Sequence, residues 1–123
     1  MNITTYRRDV NNAFVGLCDY NKASSTLARK TKTLMKSLFP DCEITVLKGC
    51  YCYVSGFVSK ENHHVYFSIG DIRFYSSSWQ RNILIRTAEN TKDYHGGMNH
   101  NTDLENLQSQ VYKLLAQEHK RSY

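Results

Sequence analysis

With 123 residues, 41% hydrophobic content, one proline and six glycines, the chain has the make-up of one folded domain, which excludes a disordered or fibrous protein. No apolar run approaches the length needed to span a membrane, and no membrane partner is expected. The net charge of +5 sits in residues 1–40, where seven Lys or Arg face two Asp, whereas residues 41–123 carry nine charges of each sign.

Val10, Phe14, Leu17 and Cys18 recur at helical spacing and predict a first helix from about Asp9 to Asp19. Asn21 to Ser25 is read as an interruption, with Ser24 or Ser25 as the N-cap of a second helix that carries Leu27, Leu34, Met35 and Leu38 on one side. That helix should stop at Pro40, because proline disfavours helical geometry in the residue before it. Arg29, Lys32 and Lys36 fall on its opposite side and read as a solvated face.

From Asp41 the period changes to two. Cys42, Ile44 and Val46 predict a first strand; after Gly49, Cys50, Cys52 and Val54 share one side of a second, with Tyr51, Tyr53 and Phe57 on the other. Ser59 to Asn62 is the expected hairpin connection, and Val65, Phe67 and Ile69 alternate in a third strand. Gly70-Asp71 is expected to turn into Ile72-Arg73-Phe74-Tyr75, followed by a polar loop around Trp79 and a strand over 83–87. Thr102-Asp103-Leu104-Glu105 has the capping-box form, and Leu104, Leu107, Val111, Leu114 and Leu115 define a last helix to about Lys120. The expected fold is therefore α+β: a single domain over 1–123, with an antiparallel sheet of four to five strands, N-terminal helices and a C-terminal helix. Tyr51, Tyr53 and Tyr66 are expected on the face the helices leave open, where dimerisation would cover them.

The stretch from Ile83 to Asn101 carries the densest chemistry. An apolar strand brings Arg86 to a loop that holds Asn90, Lys92, Asp93, Tyr94, Gly96, Gly97, Asn99 and Asn101. Glycines let backbone N–H groups approach an anion, Arg86 and Lys92 supply charge, Tyr94 a stacking face, and the asparagines paired donors and acceptors. Asp93 is expected to accept from a ligand hydroxyl or to orient Arg86. An ordinary turn of Gly and Asn would use the same residue types. A capping box at Thr102 would also place a helix N-terminus beside this loop, which favours an anion ligand.

Other constellations point elsewhere. Residues two apart on a strand, such as Cys50 and Cys52, suit buried apolar positions better than zinc ligation with Cys42, His63 and His64, and no metal is expected. His95 and His100 could serve as acid and base, but no nucleophile or carboxylate pair accompanies them, so no enzyme and no cofactor are expected. The residues Met1 to Arg8 contain no signal-like apolar segment, so reduced thiols and a cytoplasmic location are expected. Arg73 and Arg86, each on an apolar strand, suit either a salt bridge or a phosphate clamp.

The run Leu84-Ile85-Arg86-Thr87-Ala88, with Lys92-Asp93-Tyr94, Gly96-Gly97 and Asn99, resembles the first type of Thoeris anti-defence protein, a family of phage proteins. Phe39-Pro40 before a strand and Ser68-x-Gly70-Asp71-x-Arg73-Phe74 belong to the same likeness, which covers the chain from about Leu27 to the last helix. The resemblance implies a non-catalytic homo-oligomer in the host cytoplasm that sequesters a cyclic nucleotide immune signal of the cyclic ADP-ribose type. It gives Arg73 and Arg86 to phosphates, Trp79 or Tyr94 to adenine stacking, and Asn99 and Asn101 to polar edges, with Gly96-Gly97 permitting close approach; Thr87, Lys92 and Asp93 complete the expected ligand-binding set. Nucleic acid is not an expected partner. The alternative is an anti-CRISPR-type inhibitor that engages a protein or nucleoprotein through the basic helix 24–38.

Overall fold

A computed structural model describes residues 2–14, 20–47, 53–70, 83–93 and 97–117. The order is α1 (Ile3–Phe14), α2 (Tyr20–Leu38), β1 (Glu43–Leu47), β2 (Val54–Lys60), β3 (His63–Ile69), β4 (Ile83–Ala88), β5 (His100–Thr102) and α3 (Leu107–Leu115). The strands form one antiparallel sheet in sequence order, so each pairs with its neighbours in the chain. This is the α+β domain that the change of period at Asp41 predicts.

Both N-terminal helices begin earlier than expected. The Asn2 side chain accepts from the Thr5 N–H at 2.8 Å, so the helix is capped at Asn2 and buries Tyr6 and Val10 one turn apart. Ser24, expected as a cap, lies inside α2 on its buried side. Thr31 shares that side and meets the Tyr6 hydroxyl at 2.8 Å, which ties α1 to α2. Burial raises the Tyr6 phenol well above its ordinary value, more than the Thr31 contact lowers it. The helix ends at Leu38, two residues before Pro40, as expected.

Between β2 and β3 the expected four-residue connection is a two-residue turn, Glu61-Asn62, with φ of +51° and +67°. Positive φ at both positions matches the strand twist of a tight hairpin, so pairing continues through Ser59↔His64 and Lys60↔His63. Gly56 lies in the middle of β2, where a Cβ would stand 2.1 Å from the Thr45 carbonyl oxygen. The neighbouring edge strand can therefore approach only because that position has no side chain.

Helices cover one face. Leu27, Leu34, Met35 and Phe39 pack with Val54, Val58, Val65, Phe67 and Ile85 and with Leu104, Leu107, Val111 and Leu114 in one core. Alternation sends Phe57, His64, Tyr66, Leu84, Arg86 and Asn101 to the other face, and Phe57 is fully buried there.

The capping box at Thr102 does not form. Thr102 pairs with Ile83 in β5, and Glu105 is an ion-pair partner of Arg7. Asp103 accepts instead from the Asn106 N–H at 2.8 Å, and α3 starts at Leu107, so β5 separates the helix start from the glycine loop. The helix N-terminus is thereby removed from the anion argument.

Candidate functional site

On the face opposite the helices, the strand register lines up Phe57, Tyr66 and Arg86 as cross-strand neighbours. The rings of Phe57 and Tyr66 meet edge to face, with centroids 5.4 Å apart and planes at 61°. Next in the row, the Arg86 guanidinium carbon lies 4.5 Å from the Tyr66 ring centre. A cation over an aromatic ring at that distance is attracted to it, which fixes where the guanidinium sits. Arg86 Nη1 donates to the Asn99 Oδ1 at 3.3 Å, and Asn101, opposite Leu84, stands on the same face. Two expected ligand residues, Arg86 and Asn101, thus share one face of β4 and β5, and a third, Asn99, just before β5, is bonded to Arg86.

The other described members of the expected set are placed differently. Thr87 is buried on the helix side of β4, opposite Val65. Gly97 has φ of +78°, and a Cβ there would stand 2.4 Å from the Thr87 carbonyl oxygen. Its missing side chain therefore lets the loop lie against β4, a packing role that needs no ligand. Asp93 Oδ2 accepts from the Glu89 N–H at 2.9 Å, and Asn90 Oδ1 accepts from the Lys92 N–H at 2.8 Å. These bonds close residues 89–93 into a turn of their own. The Lys92 side chain is exposed beyond the end of β4. Arg73, Trp79, Tyr94 and Gly96 lie outside the described residues, as do Cys50, Cys52 and His95.

Two polar clusters that sequence reasoning missed lie at the β2–β3 hairpin. Asp41 accepts from Lys60 Nζ at 2.7 Å and from the Tyr112 hydroxyl at 2.5 Å. The Lys60 contact, then that of Tyr112, holds the Asp41 carboxyl well below its ordinary value. Burial, followed by the Asp41 carboxylate, pushes the Cys42 thiol up to about 11. Beside this cluster the Ser59 hydroxyl meets His64 Nδ1 at 2.6 Å, at the edge of a cavity of about 550 Å³ that Asp41, Cys42, Glu43 and Lys60 also line.

The Ser59 and His64 distance is that of a nucleophile and its base, and in catalytic pairs of this kind a third group commonly orients the base. Glu43 lies across from Ser59 and not from His64, and among the described residues no carboxylate contacts His64. The pair is a cross-strand hydrogen bond. A two-residue turn at 61–62 puts positions 59 and 64 opposite each other; expecting a longer loop hid the pair. His63 and His64 point to opposite faces of β3, so they cannot act as one chelating pair. Among the described residues no three metal-ligating side chains come together. In comparisons with known proteins, no family model, no curated protein and no solved structure matches the chain.

Proposed function

We propose that this protein captures a phosphate-bearing cyclic nucleotide of the cyclic ADP-ribose type at the Arg86 face and holds it without turnover, as a phage counter-defence sponge in the host cytoplasm. The observation that carries the reading is the Arg86 guanidinium, stacked on Tyr66 and tethered to Asn99, on the sheet face the helices leave. A guanidinium held in place over an aromatic ring reaches a phosphate with little ordering cost. Asn99 and Asn101 beside it present both donors and acceptors, as a nucleobase or ribose edge requires. One short strand and loop would enclose only part of a dinucleotide-sized ligand, so the site is shared between copies of the chain in a homo-oligomer.

The test is a thermal-shift titration with cyclic ADP-ribose isomers and cyclic dinucleotides, followed by mass spectrometry of the ligand recovered after heating. A ligand at about a hundred times its dissociation constant adds roughly 2.7 kcal/mol, a shift of about 10 °C for a domain of this length. The expected result is stabilisation by one compound that returns intact and loses its effect on Arg86→Ala. Recovery of an altered compound, or no shift with any of them, would overturn the proposal.

A further inference from the structure

Helix α2 contains five basic residues and no acidic one. Of these, Lys30 pairs with Asp9 at 3.1 Å. Arg29, Lys32 and Lys36 are exposed, and none of them contacts a carboxylate among the described residues. At about 100° per residue, 29, 32 and 36 fall within an arc of roughly 60°, opposite the buried Leu27, Thr31, Leu34 and Met35. Thr33 and Ser37, also exposed, lie beside that arc on its Arg29 side. Among the described residues, three carboxylates are engaged with other cations: Asp9 with Arg8 and Lys30, Asp41 with Lys60, and Glu105 with Arg7.

We infer that the exposed face of α2 docks, without sequence preference, on the phosphate backbone of a double-stranded nucleic acid. From Arg29 to Lys36 the helix rises about 10.5 Å, which spans about three phosphates at roughly 3.4 Å of axis per phosphate on one strand. Other anionic surfaces fit less well. An interfacial membrane helix needs apolar side chains to insert, but the arc around 29, 32 and 36 has none and the apolar side of α2 is in the core. A protein partner would be anchored by aromatic or aliphatic side chains, and this face offers only cations and hydroxyls. The inference stands independently of the Arg86 site.

The experiment is a fluorescence-anisotropy titration of the full chain against labelled duplex DNA and duplex RNA over a range of salt, with anionic phospholipid vesicles in a parallel arm. Three phosphate contacts predict a slope of log K on log salt of about −2.7 for duplex DNA, or an affinity loss of about 40-fold between roughly 50 and 200 mM salt. Each of Arg29→Gln, Lys32→Gln and Lys36→Gln should reduce the slope by about 0.9, so that one substitution leaves a loss of about 12-fold. Lys113→Gln, on exposed α3 surface, should leave the slope unchanged. All four changes are at exposed helical positions, and circular dichroism verifies that each variant is folded. Binding of either duplex with these slope changes supports the inference, and the tighter of the two identifies the natural polymer. Absence of binding at low salt, a slope that survives the triple substitution, or binding to vesicles alone would overturn it.

Discussion

Replacing Gly97 by alanine tests whether the loop after β4 is held by packing. The residue has φ of +78°, in the left-handed region that costs an L side chain roughly 1–2 kcal/mol. Its new Cβ would stand 2.4 Å from the Thr87 carbonyl oxygen and 2.7 Å from Thr87 Oγ1. Thr87 cannot easily retreat, since it is buried and paired to Val65 of β3. Overpacking of this kind adds roughly 1–3 kcal/mol, for a total of about 2–5 kcal/mol out of a typical 5–15. Urea unfolding should register this loss, with the melting temperature lowered by about 10 °C or more. Gly97→Asn separates the two contributions: asparagine tolerates positive φ but carries the same Cβ, so it should recover only about 1 kcal/mol. Asn99 lies two residues on, so both variants should also weaken the stabilisation by any ligand that depends on Arg86. Unfolding of Gly97→Ala within about 0.5 kcal/mol of the parent would refute the packing argument.

Alanine for glycine inside a strand ordinarily gains about 0.5–1 kcal/mol, but Gly56→Ala should lose about 1–3, because the Cβ would meet the Thr45 carbonyl oxygen at 2.1 Å; urea unfolding checks the sign. Glu61 has φ of +51° in the hairpin turn, so Glu61→Asn should stabilise by about 0.5–1 kcal/mol in the same assay. The Asp41 carboxyl is held below its ordinary 3.8 by Lys60 and then Tyr112, so its contribution is complete above that value and lost as pH falls below it. The urea midpoint should therefore drop on acidification, less steeply in Asp41→Asn; an equal slope would refute the assignment. With its thiol raised to about 11, Cys42 should alkylate slowly at pH 8, and peptide-resolved mass spectrometry should find the reaction faster in Asp41→Asn, which removes the carboxylate that helps to raise it.

Alternating segments were legible because a sheet with one covered face leaves a period-two record: Val65, Phe67 and Ile69, then Ile83 and Ile85. Element ends were not, and each miss has a distant cause. Ser24 looks like a helix cap because hydroxyls favour caps, yet its place on the buried side of α2, which also carries the bond between Thr31 and Tyr6, retains it within the helix. Thr102 and Glu105 have capping-box spacing, but strand pairing to Ile83 takes the first and Arg7, 98 residues away, takes the second. The candidate site divides along the same line. Arg86 and Asn99 lie in one stretch and were expected together, whereas Tyr66 reaches Arg86 only through the β3–β4 register, which the alternation of neither strand reveals alone.

The distribution of charge separates the two proposed binding surfaces physically. Residues 41–123 are neutral overall, so Arg86 has no broad positive field behind it and must act by position. Tyr66 and Asn99 supply that position, and Arg86 and Tyr66, both half-buried, are screened less by salt than exposed groups. Arg29, Lys32 and Lys36 have no such support; what they have is the +5 of residues 1–40 and full exposure to counterions. Raising salt from roughly 50 to 200 mM should therefore remove duplex binding by about 40-fold while it changes nucleotide capture at Arg86 by no more than the few-fold expected of one phosphate contact. Equal salt sensitivity of the two would mean that both ligands read one diffuse basic field, and that the stacking of Arg86 on Tyr66 is structural rather than a means of recognition.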